Sequence, residues 1–230
     1  MKIVDIIQLC TLIIGDKKPD YTINVEQLNR VLDLVNLRIF KRKLGLPEGY
    51  NPQQPEAAEA DGRLIDELKM FKVDMGTESQ PLVLVNGFAN TPTDLFYPLS
   101  MLSKQISNNK VKHGRIDMLS ELQFQERLAS SITKPTLRDG IARFNNGRIQ
   151  VLPAEIQYVL FSYYRIPRTP VYAVTYANGY AEYEPKTTVE FEYDSVTVID
   201  AIPMILQELG FSIPSQEVLT YSQKLENKGV

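Results

Sequence analysis

Residues Gly140–Pro170 read GIARFNNGRIQVLPAEIQYVLFSYYRIPRTP, and the remainder of the chain is arranged about them. Ile141–Phe144 and Arg148–Leu152 are short runs of β-branched and apolar residues. Asn145-Asn146-Gly147 between them supplies the residues that tolerate positive φ in a tight hairpin. Beyond Leu152-Pro153 the chain alternates strictly from Ile156 to Ile166. Ile156, Tyr158, Leu160, Ser162, Tyr164 and Ile166 point one way, and Gln157, Val159, Phe161, Tyr163 and Arg165 the other. Both sets carry large apolar groups, which predicts a core strand covered on both faces. Pro167 and Pro170 lack backbone donors and end the ladder.

Working outward, the N-terminal side is helical. Lys2–Ile14 reads as a first helix ended by Gly15; Asp5 and Gln8 interrupt its apolar run and no small-residue cleavage site follows, so a buried helix is expected and not a signal segment. That run is also shorter than the ~20 residues of a membrane span. A second helix starts at Asn24 as N-cap, with Gln27 three residues on, and ends near Leu44 before Gly45 and Pro47. Val25, Leu28, Val31, Leu32, Val35 and Ile39 form one stripe at helical spacing. Leu34, Leu37, Phe40 and Leu44 fall largely on the other side. Such a helix is covered on two faces, either within its own domain or by a neighbouring subunit; the second reading makes these four residues an interface. A third helix is expected over Pro55–Phe71.

Strands dominate the middle. Leu82–Val85, closed by Asn86-Gly87, and Leu95–Leu102, with Pro98 marking an edge or bulge, lead into Lys110–Met118. A short helix follows from Ser120 to Ala129 with Ser120 and Gln123 as its capping pair. After the Gly140–Pro170 stretch, Val171–Tyr176 and Tyr180–Tyr183 flank Asn178-Gly179, and Val189–Tyr193 reads as the last strand. Asp194 or Ser195 caps a helix to Leu209 with Gly210 at its C′ position, kinked or divided by Pro203. Ser215 opens a final helix to about Glu226. The expectation is an α+β fold: N- and C-terminal helices packed around a central antiparallel β-rich region, sandwich or barrel-like. It divides into a helical part (1–79), a β-rich part (80–193), and C-terminal helices (194–230) packing back on the first.

Composition narrows the chemistry. The 230 residues carry a net charge of −3 with 43% hydrophobic and 23% charged residues, ordinary for a globular protein and unfavourable for whole-molecule attraction to nucleic acid or anionic membrane. A single cysteine, Cys10, excludes an internal disulfide and a Cys-based zinc site, and a single histidine, His113, excludes a His-rich one. No P-loop, no dinucleotide fingerprint and no nucleophile elbow is present. His113 reads as part of an exposed turn and Cys10 as a buried small hydrophobe. The basic group Arg38, Lys41, Arg42 and Lys43 suits the C-terminal end of the second helix. The acidic residues Glu182, Glu184, Glu190 and Glu192 recur at strand period two. They read as a solvated strand face, as a wall along which DNA slides, or as carboxylates converging in a cleft. No catalytic residue, cofactor or metal-ligand set is assigned.

Taken in order, IVDIIQLCTLIIGDKK, YTINVEQLNRVLDLVNLRIFKRKLG, HGRIDMLSELQFQERLASSITKPT, RIQVLPAEIQYVLFSYYRIPRTPVYAV, VEFEYDSVTVIDAIPMILQELGFSI and YSQKLENKG form a layout that resembles structural proteins of crAss-like and related tailed phages of Bacteroidetes. The likeness is to the head–tail connector (neck or ring) proteins and covers most of the chain through packing and turn patterns. It implies a virion protein, assembled in the host cytoplasm, that forms a homo-oligomeric ring of about twelve copies beneath the portal. It further implies contacts with the portal and other neck or tail proteins, passage of DNA through the ring, no membrane and no enzymatic activity. Glu182, Glu184, Glu190 and Glu192 would then face the channel. The alternative is a small-molecule or metal-binding enzyme using the carboxylates of the β-rich region.

Overall fold

A computed structural model of the chain describes residues 1–20, 23–46, 68–78, 80–107, 110–177 and 180–211. The elements run α1 (Ile3–Lys17), α2 (Val25–Lys43), β1 (Lys72–Met75), β2 (Leu82–Val83) and β3 (Phe88–Asn90). Then come β4 (Leu95–Ser107), β5 (Lys110–Met118), α3 (Glu121–Ala129), β6 (Asp139–Asn145) and β7 (Arg148–Leu152). The last are β8 (Tyr158–Arg165), β9 (Val174–Ala177), β10 (Tyr180–Tyr183) and α4 (Ser195–Glu208). The fold is α+β with a β-rich centre, as the sequence predicts. It divides into two compact units: Met1–Arg42 with Pro167–Val230, and Lys43–Ile166. The dividing points differ from those at 79 and 193, because β1 joins the sheet while the β9–β10 hairpin belongs with the helices.

In the sheet unit the strands follow the order β1-β8-β4-β5-β6-β7-β3, with β2 also pairing β8. The sheet curls into a half-barrel. Two tight turns join strands that follow one another in the chain. Asn146 and Gly147, at φ 46° and 73°, join β6 to β7. Asn86 and Gly87, at φ 53° and 79°, join β2 to β3 through reciprocal bonds between Val85 and Phe88 of 2.9 and 3.0 Å. Positive φ at both central residues is what a two-residue turn matching the strand twist requires, and Asn-Gly meets it at least cost. One arm of the β2–β3 hairpin pairs β8 and the other β7, so it spans the two ends of the strand path.

One detail corrects the sequence reading and another bears it out. The sheet is mixed: β5 and β6 run parallel, since the α3 crossover returns the chain in the same direction. Pro98 marks a bulge, as its missing donor predicts: register shifts fall at Leu95/Tyr97 and Pro98/Ser100 where β4 pairs β8, and β5 pairs only the later part of β4, Leu102–Ser107. Strand β8 is paired along both edges, by β4 and by β1 and β2 in tandem. Val159, Phe161 and Tyr163 are buried in the sheet's core with Met101, Ile116 and Val151. Tyr158, Leu160 and Ser162 are only half-buried, so one face of this strand is closed and most of the other is not.

In the helical unit α1, α2 and α4 share one core, from Ile6, Cys10 and Ile13 through Leu28, Leu32 and Val35 to Ala201, Ile202 and Ile205. Helix α1 runs through Gly15 to Lys17. Helix α2 begins where Asn24 Oδ1 accepts from the Glu26 and Gln27 amides at 2.8 and 3.4 Å. Asp194 caps α4 by accepting from Thr197 at 2.9 Å, and Pro203 leaves α4 a single helix. Past its end Gly210, at φ 88°, allows Phe211 N to reach Leu206 O at 2.8 Å and Gly210 N to reach Gln207 O at 3.0 Å. This closure satisfies two terminal carbonyls and turns Phe211 into the core. Val189–Tyr193 makes no strand, only a bridge between Val189 and Val171. Of the expected helix over Pro55–Phe71, the described end is a single 3-10 turn at Lys69–Phe71. The remainder, the Ser215 helix and Asn178-Gly179 lie outside the described residues.

Candidate interaction surface

The singular side chains carry no reactive arrangement. Cys10 is buried among the α1, α2 and α4 side chains, and burial pushes its thiol up to about 12, far from a nucleophilic thiolate. His113 is not on a turn: it sits in β5 opposite Lys104, with Nε2 3.0 Å from Glu78 Oε1. Lys104, buried in spite of its charge, reaches the same carboxylate at 3.5 Å and donates to the Glu78 carbonyl. Glu78 thus pins its own segment to the outer face of the sheet. Among the described residues no three His, Cys, Asp or Glu side chains gather as a metal site.

The four glutamates do not share one strand face. Glu182 is exposed on β10 opposite Thr175. Glu184 lies past the strand end and accepts from its neighbour Lys186 N at 3.0 Å. Glu190 Oε2 takes the amide of Ile3 at 2.6 Å, placing a negative charge at the positive end of α1. Glu192 Oε2 accepts from Arg168 N at 2.8 Å, and its other oxygen lies 3.7 Å from the Arg168 guanidinium. Period two predicted a continuous acidic row. The chain leaves extended structure after Tyr183, and the row breaks into a surface residue, a turn residue and two clamps on separate backbone amides.

Helix α2 likewise parts its second stripe. Leu34 is 54% exposed and Leu37 half-buried, whereas Phe40 and Leu44 are fully enclosed by the chain itself. Phe40 and Leu44 are therefore not available to a neighbouring subunit. One turn earlier Asn36 is buried as well, its side-chain amide donating to Arg168 O at 3.1 Å while its backbone carbonyl accepts from Tyr193 Oη at 3.0 Å. Arg168 and Tyr193 thus meet α2 at Asn36 from within the same unit. Of the basic group beside it, Arg38 pairs with Glu208 of α4 at 2.7 Å.

The surface that the pattern analysis did not find lies on the sheet unit. Val83 and Val85 are 57% and 69% exposed at the β2–β3 hairpin. They line an open depression of about 470 Å³ together with Ala154, Glu155 and Tyr158. On the β4–β5 ribbon Ile106 and Val111 sit directly opposite each other, both exposed. After α3, Ile132 is 93% exposed. Its loop is held: Ser130 Oγ accepts from the Ile132 and Thr133 amides at 3.3 and 3.0 Å, and Thr136 and Asp139 exchange bonds of 3.0 and 3.1 Å. Leu82–Val85 is a run too short and too uniformly apolar for periodicity to show which side chains face outward. Exposed apolar side chains mark a contact surface where they gather, as Val83 with Val85 and Ile106 with Val111 do, whereas single ones are ordinary.

No helix among the described residues is long and apolar enough to cross a membrane. Compared with protein-family models and with curated proteins, the chain matches none.

Proposed function

We propose that the chain is a virion structural protein of a tailed phage, a subunit of a ring in the head–tail connector of about twelve copies. In this reading it extends the DNA channel beneath the portal, links it to tail components, and is assembled in the host cytoplasm. The observation that carries it is the set of ordered, exposed apolar side chains at Val83, Val85, Ile106, Val111 and Ile132, which suits a protein whose business is contact with other proteins. The layout resemblance supplies the phage connector. The catalytic alternative needs carboxylates converging in a cleft, and Glu184, Glu190 and Glu192 are each turned to a different backbone amide.

The test is the parent particle. Mass spectrometry of purified virions is expected to find the chain at a copy number matching a ring, and electron microscopy to place it at the neck. A particle that lacks the chain, or holds it only in trace amounts, overturns the reading.

A further inference from the structure

We infer that copies of this chain join head to tail, the Ile132 loop of one entering the depression between Val83, Val85, Ala154 and Tyr158 of the next. The inference builds on the self-association in the reading above and names the surfaces that make it. Three observations meet here. The loop offers a branched apolar side chain almost wholly in water, on a backbone fixed by Ser130, Thr136 and Asp139, so little ordering entropy stands against docking. The receiving depression, at about 470 Å³, has ample room for an isoleucine side chain, and its exposed walls Val83 and Val85 are apolar. Charge agrees at the rim: Lys134 lies two residues beyond Ile132, and the exposed Glu155 lines the depression.

Loop and depression are different surfaces of the same unit. A contact between them is heterologous, and repetition of one rotation closes a ring or extends a filament. An isologous pairing would instead bring like surfaces together. That distinction gives the experiment its sign.

In a Cys10→Ser background, two single-cysteine chains are prepared, Ile132→Cys and Val85→Cys, each checked for a wild-type melting curve. Mixed at high concentration under mild oxidation, they are expected to give the mixed 132–85 dimer at least tenfold above either like-with-like dimer. A chain carrying both cysteines should give a ladder beyond the dimer. Glu155→Lys is expected to cut the mixed yield severalfold, and Lys134→Glu on the loop-bearing copy to restore it. Equal yields of all three dimers, no cross-link at all, or no rescue by the charge swap would overturn the contact. A ladder from the double-cysteine chain together with virions lacking the chain would leave the contact standing and remove the connector reading; a neck ring without the cross-link would do the reverse.

Discussion

The sheet unit combines local partners, β6 with β7 across Asn146–Gly147, Val85 with Phe88 across Asn86–Gly87 and β4 with β5, with distant ones, since β8 pairs β1, β2 and β4 and β3 pairs β7. The helical unit is assembled from the two ends of its chain. Helix α4 closes on α1 and α2, and Asn29 exchanges two bonds with the Tyr172 backbone, 143 residues away, at 3.1 and 2.8 Å. Glu190 reaches Ile3 over 187 residues. Local pairing limits the loop-closure entropy at each step; distant pairing must offset it through a large apolar core and a few well-made polar clamps. The helical unit should therefore respond to loss of single clamps, while the sheet unit should respond mainly to its core and its close backbone approaches.

The largest effects come from core truncation. Phe161→Ala in the sheet is expected to cost about 3–5 kcal/mol, and Leu32→Ala in the helices about 2–5. Cys10 is a built-in reporter, since its buried thiol reacts only when the helical core opens. Leu32→Ala should speed its modification by a thiol reagent, and Phe161→Ala should leave the rate near that of the parent chain. Equal acceleration by both would break the comparison by showing that the units open as one.

Gly114→Ala comes next. A β-carbon there would stand 2.6 Å from Arg138 O and from Ser103 Oγ, and 2.8 Å from Leu137 O. Displacing a backbone that Ser103 also holds is expected to cost about 1–3 kcal/mol, read from the urea midpoint. Asn29→Ala removes both bonds to Tyr172 and is expected to cost about 1–2 kcal/mol. A shift within a few tenths would show that the apolar core alone positions the 168–193 segment.

Two smaller changes sharpen the picture. Glu190→Gln keeps a bond to Ile3 but loses the charge at the α1 terminus, for about 0.3–1 kcal/mol, less in high salt. Leu34→Asp, on the exposed part of α2, is expected to move stability by no more than about 0.5 kcal/mol. Leu37→Asp should cost more, because that side chain is half-buried. A large loss from Leu34→Asp would mean that this face is packed after all.

The sequence by itself determined the α+β class, the start of α2 at Asn24, the Ser120/Gln123 cap of α3, the Gly210 stop of α4, and the bounds of β5 and β7. Each of these depends on residues within a few positions of one another: a side-chain oxygen and the amide it accepts from, or an Asn-Gly pair that tolerates positive φ. Only the tertiary structure decided the parallel β5–β6 pair and the joining of β9 and β10 to the helices. It also decided the fate of the proposed sites. Whether α2 is met at Asn36 by Arg168 and Tyr193, and whether Glu190 lines a surface or caps α1, depends on partners more than a hundred residues distant. The depression at Val83 and Val85 and the exposed Ile132 were hidden for the same reason. Periodicity assigns a side chain to one face of its element; what lies against that face is set by how distant elements pack.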